Sequence, residues 1–130
     1  MRDFDHQNIR ERIDGLAPHE ALCVVLGAYD TLRAEIRASV ADVAQATGLQ
    51  PTPALVLLTL WDARGRIVTA DAMGGRFREV MGCHILPESY RTAIKRVRRA
   101  VPDMRIINAA RIGYRLEREH DAAAPWEMDQ

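Results

Sequence analysis

The stretch LPESYRTAIKRVRRAVPD, Leu86 to Asp103, decides the fold because two prolines bound one short helix within it. Proline is tolerated in the first turn of a helix but not in its interior, so Pro87 opens the helix and Pro102 ends it. The apolar residues between them recur at spacings of four, three and four: Tyr90, Ile94, Val97 and Val101. This narrow stripe predicts an amphipathic helix of about fourteen residues that packs on a core by one face.

The remaining surface of this helix is cationic. Five basic residues lie within nine positions, with no acidic residue between them: Arg91, Lys95, Arg96, Arg98 and Arg99. Salt bridges within the helix therefore do not explain them. Two interpretations remain: a solvated helix whose cations pair with the acidic N-terminal segment, or a helix that offers one face to phosphates. The residues after Pro102 favour the second interpretation.

The segment RIINAARIGYRLE, from Arg105 to Glu117, is typical of a two-stranded hairpin. Branched apolar residues flank a small-residue centre that holds one arginine, Arg111. A basic helix, a proline and a hairpin give the order of a recognition helix and a wing, in which the helix contacts the major groove of DNA and the hairpin tip contacts the minor groove or backbone. We expect Ile106 and Tyr114 to hold the hairpin to the core.

Charge is distributed unevenly along the chain. The net charge is zero, yet the segment from Asp62 to Arg118 holds thirteen basic and six acidic residues, so it carries +7 and the rest carries −7. Seventeen of the eighteen cations are arginine, whose planar guanidinium suits phosphates and guanine edges. A GC-rich genome would explain the arginine excess equally well. The asymmetry predicts a polyanion partner, and Arg64 and Arg66 are candidates for a further phosphate contact.

The segment from Pro18 to Ile36 carries its own apolar stripe. Residues at spacings of three and four predict a helix that faces the core: Ala21, Leu22, Val25, Leu26, Tyr29 and Leu32. The same stripe is wide enough to pack on a copy of itself. A homodimer through this helix is therefore a possible alternative to a role in the core.

Two further helices are predicted in the middle of the chain. The first spans Val40 to Thr47, with Ser39 as N-cap and Gly48 as its stop. The second spans Pro53 to Ala63 and is apolar on nearly every side, so we expect it to be the central buried helix. The pair has the length of a helix-turn-helix, but so apolar a second helix could not face a groove.

A short helix is predicted from Ala70 to Met73, with Thr69 as its cap. It ends early because Gly74 and Gly75 follow, and each internal glycine costs about 1 kcal/mol relative to alanine. The preceding residues, Arg66 to Val68, suit a short strand or an extended link.

From about Leu49 to Leu116 the chain resembles the OmpR/PhoB-type winged-helix DNA-binding domain, the output domain of bacterial response regulators. LQPTPALVLLTLWDARGRIVT stands where that family has its first helix and a short strand, and IKRVRRAV stands in its recognition helix. The ending Gly-Tyr-Arg-Leu of the family's wing is here Gly113 to Leu116. The resemblance implies a mainly α fold with a small C-terminal β-hairpin, a winged helix-turn-helix that binds double-stranded DNA.

The chain departs from that family at several points. It has no receiver domain, so control by aspartyl phosphorylation is not implied, and Pro18 to Gly48 is predicted as helix where the family has a β-sheet. Arg111 stands where the family usually has glycine. We therefore expect three regions: an acidic helical extension at 1–48 for dimerisation or partner docking, a winged-helix domain at 49–118, and an acidic flexible tail at 119–130 with Trp126 exposed.

Little in the sequence points to catalysis, and we predict neither an enzyme, a cofactor nor a metal site. The histidines are scattered, and Cys23 and Cys83 lack a CxxC spacing, so both are predicted to be buried thiols. No glycine-rich phosphate loop is present, and the aromatic residues are too few for a platform that stacks single-stranded bases. No run of about 18 apolar residues or signal peptide appears, so a cytoplasmic protein is expected.

The sequence favours the hypothesis of a bacterial or phage protein that binds duplex DNA sequence-specifically in transcription regulation. The residues expected to contact DNA are Arg64, Arg66, Arg91, Lys95, Arg96, Arg98, Arg99 and Arg111. The alternative is a protein-interaction module on the same scaffold, such as an antirepressor or an adaptor for RNA polymerase or another regulator. In that case the acidic tail would dock a partner or cover the basic face.

Overall fold

A computed structural model describes residues 18–118 together with 124 and 126. Within that part the chain forms four α-helices and a small antiparallel sheet of three strands, which confirms the mainly α class with a C-terminal hairpin. The elements are α1 (Pro18–Thr47), α2 (Pro51–Asp62), β1 (Val68–Thr69), α3 (Ala70–Met81), α4 (Pro87–Ala100), β2 (Arg105–Ala109) and β3 (Gly113–Glu117). The chain divides into two compact units, Met1–Ala38 and Ser39–Gln130.

Helix α1 is one continuous helix of 30 residues, so the prediction of two helices was wrong. Ser39 lies in the interior of this helix and not at an N-terminus, because no proline or glycine interrupts the chain between Ile36 and Val40 and a single serine costs little in a helix. Gly48 ends the helix as predicted, with φ +76° and its N–H donating to the Ala44 carbonyl over 2.8 Å.

The N-terminal half of α1 also departs from its prediction. Its apolar stripe was expected to face the core, but the large residues Leu22, Val25, Leu26 and Tyr29 are exposed. In the second unit, Val40 and Val43 are buried. The 3.6-residue periodicity thus correctly identified an apolar face of a helix. The prediction that this face is buried was wrong, because periodicity does not show which part of the protein covers a face.

Helix α2 forms the centre of the core, as predicted. Its buried residues are Pro53, Ala54, Leu55, Val56, Leu57, Leu58, Leu60 and Trp61. It packs chiefly against α4, whose residues Tyr90, Ile94 and Val97 are buried. Burial on this scale agrees with the argument that α2 cannot enter a groove.

Helix α3 is longer than predicted. Thr69 caps it, since its hydroxyl accepts a hydrogen bond from the Ala72 N–H over 3.1 Å, but the helix continues to Met81 instead of ending at Met73. Gly74 is buried, and a β-carbon there would overlap the His84 imidazole. The His84 side chain is exposed and can move aside, so this overlap does not by itself require glycine, and the two glycines weaken the helix without ending it.

The sheet has the order β1–β3–β2, with both neighbouring pairs antiparallel. Ile106 pairs with Leu116 across the hairpin, and both are buried. On the other side of β3, Thr69 pairs with Gly113. A β-carbon at Gly113 would overlap the Val68 carbonyl and the Thr69 α-carbon, so this strand pairing depends on glycine.

Two side chains are placed differently from the predictions. Trp126 is buried, not exposed: its ring meets Trp61 edge-on with centroids 5.3 Å apart. The acidic neighbours of Trp126 hid this contact, because its partner is 65 positions away in the sequence. Cys83 is exposed, so its prediction as a buried thiol was wrong. The side chain of Cys23 lies outside the described part.

Candidate nucleic-acid interface

Helix α4 has the fourteen residues that its two prolines predicted, Pro87–Ala100. Tyr90, Ala93, Ile94 and Val97 are buried, while every arginine and lysine of the helix is exposed. Arg91, Lys95, Arg98 and Arg99 follow the spacing i, i+4, i+7, i+8, which places them on one side of the helix. The buried stripe fixes which way this cationic face points.

A cleft of about 500 Å³ separates α4 from the hairpin turn. Three cations enter it from the helix, Arg91, Lys95 and Arg98, and Arg111 enters it from the turn. Its other walls are largely apolar or aromatic: Ala70, Pro87, Tyr90, Asn108, Ile112, Gly113 and Tyr114. Residues twenty positions apart in the sequence thus form one concave basic surface.

The hairpin turn holds Arg111 in an uncommon conformation. Both Ala110 and Arg111 have positive φ values, 47° and 66°, and the Ile112 N–H donates to the Ala109 carbonyl over 2.8 Å. Two successive positive φ values are the mark of a type I′ turn, which favours Asn-Gly or Gly-Gly. Each non-glycine residue there costs roughly 1 kcal/mol. Arg111 therefore occupies a position where glycine would be less strained.

Arg98 joins the helix to the hairpin. Its Nη2 donates a hydrogen bond to the Ile106 carbonyl over 2.8 Å, and its guanidinium carbon lies 6.0 Å from the centre of the Tyr114 ring. The Arg98 guanidinium therefore contacts the hairpin and contributes to holding it against α4. Arg98 sets the distance between the two sides of the cleft in addition to adding charge to it.

Two tyrosines form the floor of the cleft. The rings of Tyr90 and Tyr114 meet edge-on with centroids 5.1 Å apart, and the buried Tyr90 hydroxyl donates to the Val68 carbonyl over 2.9 Å. Burial raises the pKa of the Tyr90 phenol above its usual range, and the charge of an ionised Tyr114 raises it further. Tyr90 therefore links α4 to both β1 and β3 as a neutral hydrogen-bond donor.

Replacing this tyrosine tests the link. Tyr90→Phe should lower the free energy of unfolding by about 1 to 2 kcal/mol at neutral pH, because the Val68 carbonyl loses a buried donor. Since folding raises the phenol pKa, the stabilisation is fully present below about pH 10 and is lost as pH rises through the raised value. Urea denaturation at about pH 7 and about pH 10.5 should show a smaller alkaline loss for the variant. An equal loss for both proteins would contradict this assignment.

The exposed cations of α4 and of the hairpin turn have no acidic partner among the described residues. Over residues 18–118, 124 and 126, no ion pair or side-chain hydrogen bond is made by Arg91, Lys95, Arg96, Arg99 or Arg111. Two other arginines, the half-buried Arg76 and the exposed Arg105, do form ion pairs, with Glu79 and Glu117 respectively. The alternative in which the helix cations pair with the acidic N-terminal segment involves residues that lie outside the described part.

Four of the predicted contact residues do not line the cleft: Arg64, Arg66, Arg96 and Arg99, the last of which is exposed one turn beyond Lys95. Arg96 points to another side of α4, into a depression that it shares with Gln50, Glu88 and Thr92. Arg66 lines a third depression beside acidic residues, and its Nε donates to the Ala63 carbonyl. Arg64 is exposed in the turn after α2, with φ +53°.

The sequence interpretation missed Asn108 and Ile112, which line the cleft next to Arg111. Both are exposed, and Asn108 pairs with Tyr114 across the hairpin. Their place at the turn could have been read from strand alternation, but only with the hairpin register known.

Other classes of site receive no support from the described residues. They include no group of three His, Cys, Asp or Glu side chains that could hold a metal ion, and none of their helices combines the length and apolar character needed to cross a bilayer. Comparison with protein-family models, curated proteins and solved structures found no match to this chain.

Proposed function

We propose that this protein is a winged-helix protein that binds double-stranded DNA and acts in transcription regulation. The observation that carries the proposal is the cleft, where cations from a helix and from a hairpin turn converge without an acidic counterpart in the described part of the chain. Side chains so arranged bind an anionic ligand that passes between the helix and the hairpin. A phosphate backbone has that shape and charge.

In this proposal α4 lies in the major groove and the hairpin lies on the adjacent backbone. An α-helix about 10 to 12 Å in diameter fits a groove about 12 Å wide. Arg91 and Lys95 contact base edges or phosphates from the exposed face, with Arg99 extending that face by one turn. Arg98 holds the hairpin at a fixed distance from the helix, and Arg111 reaches the minor groove or a phosphate.

The cations outside the cleft have different roles. Arg96, on another side of α4, is suited to a phosphate on the opposite strand of the same groove. Arg64 and Arg66 can each contact a DNA phosphate, which adds to the affinity but does not fix the orientation of the protein on the DNA. We therefore expect the cleft cations to dominate affinity.

One observation that favoured the alternative function, a protein-interaction module, does not hold. That hypothesis used Trp126 as an exposed anchor for a partner, but the indole is buried against Trp61. An acidic protein partner at the basic cleft itself would still fit the charge of the site. Dependence on salt and on duplex structure distinguishes the two functions.

Titration of the full chain against a fluorescent duplex tests the proposal. Each neutralised phosphate contributes about −0.9 to the slope of log K against log salt, so four cleft cations predict a slope of about −3 to −4. A single strand of the same sequence serves as the control and should bind more weakly. Absent binding, or binding that does not respond to salt, would refute the proposed function.

The Arg111→Gly variant sharpens this experiment. Glycine relieves the positive φ, so the free energy of unfolding should rise by roughly 0.5 kcal/mol, while the lost cation should weaken duplex binding by about three- to tenfold. Ala110→Gly is the matched control, since it relieves similar strain and keeps the cation. Its affinity should equal that of the wild type. Equal affinity for both variants would exclude Arg111 from the interface.

A further inference from the structure

The hairpin tip exposes an apolar side chain, Ile112, beside the basic cleft. Among the described residues of the second compact unit, three large apolar side chains are exposed: Ile67 at 45%, Leu86 at 62% and Ile112 at 58%. Of these three, Ile112 is the one that lines the cleft, directly after Arg111 in the chain. Single exposed apolar residues are common on protein surfaces. The position of Ile112 among the cations of the candidate interface, and not its exposure, indicates a role.

The hairpin tip carries no negative charge. The sequence has no acidic residue between Asp103 and Glu117, and Ala110, Arg111 and Ile112 are all exposed at the tip. The tip therefore presents one cation, which the negative potential of a DNA groove attracts, together with one side chain that can make no hydrogen bond to a base.

The width of the minor groove limits which part of the hairpin can enter it. The two strands lie about 4.8 Å apart before their side chains are counted, so the ribbon does not fit a groove about 6 Å wide. Asn108 belongs to the paired part of the ribbon, opposite Tyr114, and therefore stays at the rim. Of the turn residues, Ala110 is too short to reach the floor of the groove. The side chains that can reach it are those of Arg111 and Ile112.

We propose that Ile112 enters the minor groove beside Arg111 and selects A·T over G·C base pairs there, an inference that rests on the proposed function. Every base pair presents acceptors in the minor groove, and the Arg111 guanidinium can bind them in any sequence. A G·C pair adds the exocyclic amino group of guanine, a donor that projects from the floor. An isoleucine side chain against this amino group removes its water and offers no acceptor, so the donor is left unsatisfied.

The two sides of the cleft then have different tasks. Helix α4 binds the major groove, where its cations favour guanine edges, and the hairpin tip rejects guanine in the adjacent minor groove. Leaving one donor buried without a partner weakens binding by about tenfold. Ile112 carries no charge, so it should affect the choice of base pair and leave the salt dependence of binding unchanged.

Two duplexes that differ only in the guanine amino group test the proposal. A duplex of fixed mixed sequence is prepared with guanine and again with inosine in place of every guanine. Inosine keeps the major-groove edge of guanine but lacks its minor-groove amino group, so α4 meets the same groups in both duplexes. The wild type should bind the inosine duplex about tenfold more tightly than the guanine duplex.

Three variants assign this preference to one side chain. Ile112→Ala lets water return to the amino group, so its preference for inosine should fall below about threefold with the salt slope unchanged. Ile112→Asn supplies an acceptor and should bind the guanine duplex more tightly than the wild type does. The matched control is Ile67→Ala, an exposed isoleucine that does not line the cleft, and it should keep the full preference. Thermal denaturation checks that every variant is folded.

The possible failures can be told apart. Salt-dependent binding with equal affinity for both duplexes would overturn the role of Ile112 and leave the proposed function in place. A preference that Ile112→Ala retains in full would also overturn it, because the preference would then arise from the DNA or from another residue. If the wild type bound neither duplex, the proposed function would be refuted and this inference with it.

Discussion

Arg91→Ala/Lys95→Ala should weaken duplex DNA binding by about 30- to 100-fold, since two adjacent contacts from the exposed face of α4 are lost. The slope of log K against log salt should become shallower by nearly two units. The free energy of unfolding should change by less than about 0.5 kcal/mol, because both side chains are exposed and have no partner among the described residues. Fluorescence anisotropy and urea denaturation measure the two effects.

A charge-matched variant provides the control. Arg76→Ala/Arg105→Ala also removes two positive charges, but from two surface ion pairs whose residues do not line the cleft. Such pairs contribute little to stability, so the control should stay folded and bind DNA within about threefold of the wild type. If both variants lose the same affinity, net charge and not the cleft governs binding. In that event the site assignment is wrong even though the protein binds DNA.

Gly113→Ala should lower the free energy of unfolding by about 3 kcal/mol, because a β-carbon at this position overlaps the backbone of β1. Backbone atoms cannot move aside as a flexible side chain can, so β1 must separate from β3. The melting temperature should fall by about 10 °C or more. DNA affinity should fall as well, since β3 carries one wall of the cleft.

Gly75→Ala is the corresponding control. Gly75 lies in α3, and a β-carbon there meets nothing within 4 Å. Alanine in an exposed helix interior is favoured over glycine by about 1 kcal/mol, so this variant should be more stable than the wild type. Thermal denaturation of the two variants side by side separates a packing effect from a general effect of replacing glycine. Equal loss of stability in both would contradict the role given to Gly113.

The features that sequence predicted best depend on local chemistry. Pro87 and Pro102 act on their own backbone, so the length of α4 followed directly from them. The Thr69 cap and the stop at Gly48 are equally local. The apolar run of α2 implied burial without knowledge of any partner, because no helical face of it could remain in water. The basic face of α4 followed in the same way from its single apolar stripe.

The features that sequence missed depend on contacts between distant residues. Nothing near Gly74 indicates that the His84 ring will occupy the space beside it, and nothing near Trp126 indicates Trp61. Dependence on distant contacts also limited what the sequence could predict about the candidate site. Sequence placed five cations on α4 but did not separate Arg96 from the cleft or identify the hydrogen bond from Arg98 to Ile106, since both depend on where the hairpin packs. The cleft itself could not be predicted, because residues of α4 and of the hairpin turn form it together only once the hairpin has packed.

The contact between Trp61 and Trp126 makes tryptophan fluorescence a measure of how the C-terminal segment packs. The chain contains no other tryptophan, and the Arg118 guanidinium carbon lies 3.8 Å from the centre of the Trp61 ring. Tryptophan fluorescence therefore arises from one cluster at the end of α2, whose residues do not line the basic cleft. It reports on whether the C-terminal segment stays attached to the core. The acidic composition of residues 119–130 suggests that this segment could be removed without effect. Ending the chain at Arg118 would instead remove Trp126 and expose the Trp61 side chain of the central helix.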